Sequence, residues 1–172
     1  MKKITAIILC LVAVLSLAAC GNKVNAPTGM KLASNEVSDY YFFVPQNWTV
    51  DMSTGVASAY YSDTDKSNMS MTSYALEKTM TVDEYWESVK AEYSALFKEM
   101  SEPEVKATAL DGVEAKQYTY TAKAGTRDYK VMQVFCVKNS TVYVFTFTAT
   151  PEKFEEHIDK VALVLAEFRF MY

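Results

Sequence analysis

Ala109-Leu110-Asp111-Gly112-Val113-Glu114-Ala115 contains the first of three turns that organise residues 104 to 149. Asp-Gly is a favoured pair for a two-residue hairpin, because both positions of that turn need a left-handed backbone. Glu104 to Leu110 and Val113 to Ala122 therefore read as paired strands. Ala124-Gly125 turns the chain into Tyr129 to Lys138, where apolar and polar residues alternate. Asn139-Ser140 closes another hairpin into Val142 to Ala149, a run rich in Val, Tyr, Phe and Thr. Turn signals between successive strand patterns predict an antiparallel meander. Its last strands are the most apolar and are expected to be central, with both faces covered.

Downstream, Thr150-Pro151 starts a helix, with Thr as N-cap and Pro at the first helical position. Phe154, Ile158, Val161, Ala162, Leu165 and Phe168 form its apolar stripe. Upstream, Thr81-Val82-Asp83-Glu84 is a capping box, with Met80 and Tyr85 spaced to staple it. Val82, Tyr85, Trp86, Val89, Tyr93, Leu96, Phe97 and Met100 then recur at helical spacing, until Ser101-Glu102-Pro103 ends the helix. Earlier still, Tyr40 to Val44 reads as one strand stopped by Pro45, and Gln46-Asn47 turn into Trp48-Thr49-Val50. Val56 to Ser62 and Met69 to Leu76 flank a polar turn at 63–68. This order predicts an α+β domain, an antiparallel sheet flanked by helices.

Tyr40-x-Phe42-x-Val44-Pro45-x-x-Trp48 resembles the opening of PsbP-like (Mog/PsbP-type) domains. The hairpin Asp111-Gly112-Val113-Glu114-Ala115, the strand Val142 to Phe147 and the closing Phe168-Arg169-Phe170 are similar too. The resemblance covers about residues 35 to 170. It implies an α/β/α sandwich and non-enzymatic binding or assembly roles, since its members include extrinsic photosystem subunits, a Ran-binding nuclear factor and bacterial lipoproteins. The matching residues are packing and turn positions, so no functional residue is carried over.

The amino terminus says where the domain works. Lys2 and Lys3 precede an apolar run, Ile4 to Leu17, and Leu17-Ala18-Ala19-Cys20 follows as a lipoprotein cleavage box. The run is shorter than the roughly 20 residues of a membrane-spanning helix. Only a thiol accepts the diacylglyceryl thioether, so Cys20 is the expected lipidation site. Two or three acyl chains anchor stably where one does not. The expected organisation is a signal peptide at 1–19, a flexible tether at 20–30 and a PsbP-like α+β domain at 31–172. An ordinary signal peptide or an uncleaved anchor is the alternative. The scarcity of Arg, present only at Arg127 and Arg169, is compatible with an AT-rich Gram-positive source.

Without Lys2 and Lys3 the chain carries 15 basic and 21 acidic residues, a net charge of −6. That acidity argues against nucleic acid and against electrostatic docking on anionic lipid. Of three cysteines, Cys10 leaves with the signal and Cys20 is acylated, so Cys136 stays free, a small hydrophobe in a strand.

The sequence offers little chemistry. His157 is the only His, stands among Glu155, Glu156 and Asp159, and reads as a solvated helix residue rather than a catalytic base. Cys136 and His157 cannot supply a zinc site. Asp63-x-Asp65-x-Ser67 begins like a calcium loop, but Asn68 and Tyr74 replace the required Gly and Glu, which leaves a hairpin turn. No Gly-rich phosphate loop or other cofactor motif is present. Twelve Tyr, nine Phe and two Trp read first as a core and sheet built with aromatics, which covers most of them. Tyr40, Tyr41, Tyr60, Tyr61, Tyr118 and Tyr120 come in adjacent or alternating sets, so some must face outward, and an exposed protein-recognition surface is the alternative reading. The expected protein is a membrane-anchored, non-enzymatic module for an unidentified protein or other envelope ligand. A solute-binding accessory of a transporter and an envelope hydrolase are the other readings.

Overall fold

A computed structural model of the chain describes residues 24–97 and 99–172. Cys20 and the proposed signal peptide lie outside the described residues. The elements follow in the order β1 (Met30–Leu32), β2 (Tyr40–Tyr41), β3 (Phe43–Pro45), β4 (Thr49–Asp51), β5 (Ala57–Tyr60) and β6 (Asn68–Ala75). Helix α1 (Val82–Leu96) precedes β7 (Glu104–Leu110), β8 (Val113–Ala124), β9 (Arg127–Lys138) and β10 (Thr141–Ala149), and α2 (Pro151–Glu167) leads to β11 (Arg169–Phe170).

The meander forms as its turns dictate. Asp111 and Gly112 have φ of 45° and 77°, and Asn139 and Ser140 have 50° and 58°, the two left-handed positions of a type I′ hairpin. The middle turn sits one residue later than expected: Ala124 pairs with Arg127, and Gly125 at φ 63° takes the first loop position. The seven-stranded antiparallel sheet has the order β4-β5-β6-β10-β9-β8-β7. The apolar strands β9 and β10 are central, as their composition requires.

The two helices take opposite faces of this sheet. On the α2 face, Met69, Met71, Val134, Cys136, Phe145 and Phe147 pack with Phe154, Val161 and Val164. On the α1 face, Tyr118, Tyr120, Val131, Phe135, Val142 and Val144 enclose Trp86. Trp86 stacks on Tyr118 with ring centroids 4.3 Å apart. The result is the α/β/α sandwich.

Several local readings change. Tyr40 to Val44 is two strands, not one: β2 pairs with β11 and β3 pairs with β1. The break is at Phe42, whose N–H donates to Ser34 Oγ at 3.2 Å and whose carbonyl accepts from Ala33 N–H at 2.7 Å. Helix α1 stops at Leu96, short of the expected Met100, because Phe97 takes an extended backbone and Glu99 a left-handed one. That unwinding lets Phe97 and Met100 pack on the sheet and leaves Leu96 74 % exposed. In α2, Phe154, His157, Val161, Val164 and Phe168 face the core, and Ala162 is exposed.

The C-terminus is tied back to the first hairpin. The Asp111 carboxylate accepts from Phe170 N–H at 2.9 Å and from the Tyr172 hydroxyl at 3.4 Å. The residue read as a turn former thus also fixes β11.

Candidate functional site

His157 is fully buried, which corrects its reading as a solvated residue. It completes the α2 stripe that its acidic neighbours disguise in the sequence. Its Nε2 lies 2.8 Å from Asp65 Oδ2, and the rings of Tyr61 and Trp48 stand 4.4 Å and 5.4 Å from its own. The other carboxylate oxygen of Asp65 accepts from Ser67 N–H at 3.0 Å and Ser67 Oγ at 2.5 Å. Burial opposes ionisation of Asp65, yet the hydrogen bonds from Ser67 and His157 outweigh it and hold the carboxyl below its ordinary value.

These three residues are not a hydrolytic triad. Asp65 stands between Ser67 and His157, whereas a general base must reach the nucleophile itself. Ser67 is also 2 % exposed. The cluster instead pins the β5–β6 turn to α2. That turn is where the sequence suggested the start of a calcium loop, and its carboxylate is spent on Ser67 and His157. Among the described residues no group of His, Cys, Asp and Glu could hold a metal. Cys136 is buried in the sheet, and burial pushes its thiol up to about 11, far from a reactive thiolate.

None of the six paired tyrosines is exposed, which favours the core reading over the recognition surface. Tyr40, Tyr118 and Tyr120 are buried, and Tyr41, Tyr60 and Tyr61 are half-buried. Tyr40 and Tyr61 pack into the core on the α2 face, and Tyr118 and Tyr120 into that on the α1 face. Tyr40 donates to Met71 O at 3.0 Å, and Tyr143 donates to Asp39. Tyr74, at 54 % exposure, lies on the sheet surface instead.

Tyr74 stands at the rim of the most distinctive cleft. Between the C-terminal end of α1 and the sheet lies an open space of about 250 Å³, lined by Ser70, Thr72, Tyr93, Gln133 and Thr146 among others. Strand pairing makes the floor: Thr146 is the partner of Ser70 on β6 and of Gln133 on β9. Gln133 is buried, its carbonyl accepting from Tyr120 OH at 2.9 Å and its amide donating to Thr146 Oγ1 at 3.4 Å. Burial raises the Tyr93 phenol above its ordinary value, and the adjacent Gln133 offsets part of that effect. Sequence periodicity placed these residues on strands but could not show that Ser70, Thr146 and Gln133 form one row.

A central antiparallel sheet between two helices is the PsbP/Mog1-like fold. The chain belongs to the DcrB family, whose sequence profile matches residues 41–167. CyanoP, the PsbP of the cyanobacterium Synechocystis, shares 14 % identity and a TM-score of 0.58, over 90 % of this chain and 98 % of its own. PA94 from Pseudomonas aeruginosa, a protein of unknown function, shares 17 % identity and a TM-score of 0.57, over 78 % of this chain and 92 % of its own. The Ran-binding protein Mog1p of Saccharomyces cerevisiae shares 10 % identity and a TM-score of 0.57, over 83 % of this chain and 95 % of its own. At such identities the likeness is one of fold. A comparison with curated proteins finds no match.

Proposed function

We propose that this protein is a lipid-anchored, extracytoplasmic binding module. Residues 1–19 are the signal peptide, residues 20–30 are the tether, beginning at diacylglyceryl-Cys20, and residues 31–172 form the binding domain. The observation that carries this reading is Leu17-Ala18-Ala19-Cys20 directly after the apolar run Ile4 to Leu17. No helix among the described residues is long and apolar enough to cross a membrane.

The non-enzymatic reading rests on site chemistry. His157 faces a carboxylate rather than a nucleophile, and Cys136 is inside the sheet. Mog1p, which shares the fold, is described as Ran-binding, which supports a protein or other envelope ligand as the partner here. The transporter-accessory reading needs a concave apolar pocket. The two largest clefts described, of about 380 and 400 Å³, are open and carry charged rims, which counts against it.

Metabolic labelling with a fatty-acid analogue tests the anchor. Wild-type chain should take up label and sediment with membranes, and Cys20→Ala should do neither. Undiminished labelling of Cys20→Ala would overturn the proposal.

A further inference from the structure

The sheet face beneath α1 changes character along its strands. Under the helix it is apolar, built on Phe135, Val142 and Val144 around Trp86. Beyond the helix end the same strands present Ser70, Thr72, Gln133, Thr146 and Thr148. Hydroxyls on an open sheet face are ordinary, but two features here are not. The floor is a buried amide, Gln133 at 4 % exposure, hydrogen-bonded to a buried phenol, Tyr120 at 2 %. And among the described residues no charged side chain lines the cleft, in a chain that is 22 % charged.

A second uncharged cleft adjoins it. Thr72 and Tyr74 line both the space of about 250 Å³ and a neighbouring one of about 270 Å³ that reaches Asn35, Ser38 and Gly55. Each is smaller than the roughly 300–1,000 Å³ of a pocket that encloses a whole drug-sized ligand. Two small, open spaces with two lining residues in common suit an extended ligand that sets one compact unit in each.

The chemistry of the lining selects the ligand. No charged side chain lines the cleft among the described residues, which disfavours phosphate, carboxylate and nucleic-acid chains, since these depend on Lys and Arg. Hydroxyls and an amide both donate and accept, as do the groups around the edge of a sugar ring. The Gln133 amide has two donors and two acceptor lone pairs, and its bonds to Tyr120 and Thr146 use one of each. The rings of Tyr74, Tyr93 and Phe97 offer flat apolar surfaces to the C–H faces of the same sugar.

We infer that these two clefts bind a neutral oligosaccharide, with the sugar edges on Gln133, Thr146 and Thr72 and a ring face on Tyr74. The inference rests on the extracytoplasmic reading, which puts the domain where envelope glycans lie. The two fail separately, since acylation at Cys20 does not involve the cleft.

Calorimetric titration of the full-length chain, in a zwitterionic detergent free of sugar, tests it with three tetrasaccharides. Chitotetraose and cellotetraose are the neutral probes and tetragalacturonate is the anionic one. At least one neutral probe should bind, with an affinity unchanged between low and high salt because no ionic contact forms. Thr146→Val should weaken it about three- to tenfold, as for the loss of one hydrogen bond. Tyr74→Ala should weaken it by a similar factor, and its exposed side chain leaves folding intact. Tyr74→Phe should retain binding. The inference is overturned if neither neutral probe binds, if only tetragalacturonate binds, or if Thr146→Val and Tyr74→Ala bind like wild type. Continued acyl labelling and membrane attachment of the chain in that event would leave the anchor reading standing.

Discussion

His157 Nε2 meets Asp65 Oδ2 at 2.8 Å across 92 positions of sequence, joining the polar β5–β6 turn to the buried face of α2. An ionised carboxylate only accepts, so the imidazole donates from Nε2. His157 has no exposed side-chain surface and Asp65 has 11 %. Three donors converge on one carboxylate: the imidazole, the Ser67 amide and the Ser67 hydroxyl.

Asp65→Ala removes the acceptor for all three. A buried donor left without a partner costs about 1–3 kcal/mol, and here the imidazole and the Ser67 groups are both affected. The expected loss is about 2–3 kcal/mol in urea denaturation, read as a lower midpoint with an unchanged slope. Asp65→Asn, which keeps an acceptor oxygen, should lose less than half as much. A change in Asp65→Ala below about 0.5 kcal/mol would show that the cluster does not hold the turn to the helix.

The same carboxylate predicts an acid limb. Its folded value is lowered from 3.8, so its contribution is complete above that value and disappears as pH falls through the folded value. Wild type should therefore lose stability on acidification below about pH 4 more steeply than Asp65→Asn. Parallel acid limbs for the two proteins would contradict this.

Thr81 caps α1: its Oγ1 accepts from Glu84 N–H at 3.2 Å while Glu84 Oε2 accepts from Thr81 N–H at 2.7 Å. Thr81→Ala should cost about 1 kcal/mol. The local effect is visible by hydrogen exchange, with protection lost first in residues 82–86 and the central strands unaffected.

Ser140 occupies a left-handed position at φ 58° without the freedom of glycine. Ser140→Gly creates the favoured Asn-Gly hairpin and should stabilise the domain by about 0.5–1 kcal/mol, relief of left-handed strain being partly offset by greater freedom in the unfolded chain. Thermal unfolding would register a higher midpoint, and a lower one would contradict the turn assignment.

The architecture was legible because its signals are local. Asp111-Gly112 and Asn139-Ser140 carry their turn type in two residues, and Thr81 to Glu84 carry a helix start in four. The family resemblance rested on the same kinds of residue, which is why it gave the sandwich and no site. What was not legible depends on pairing across distance. Nothing near Phe42 reveals that Tyr40–Tyr41 will meet Arg169–Phe170 while Phe43–Pro45 meets Met30–Leu32. Acidic neighbours made His157 look solvated, although its offset from Phe154 and Val161 puts it on the buried face. Burial of Tyr40, Tyr118 and Tyr120 is set by what packs on the two faces of the sheet, which adjacent or alternating positions in the sequence do not reveal. The cleft beside α1 exists only through the register Ser70–Thr146–Gln133.

The central claim, a domain held outside the membrane by Cys20, is tested most directly by thiol accessibility on intact protoplasts. Val37 is 91 % exposed and Cys136 fully buried, so a Val37→Cys variant presents one reactive thiol on the folded domain. A membrane-impermeant maleimide should label it without permeabilisation and leave the product attached to the cells. Adding Cys20→Ala should remove that labelled product from the cell surface. Labelling of Val37→Cys only after lysis would place the domain on the cytoplasmic side and contradict the account.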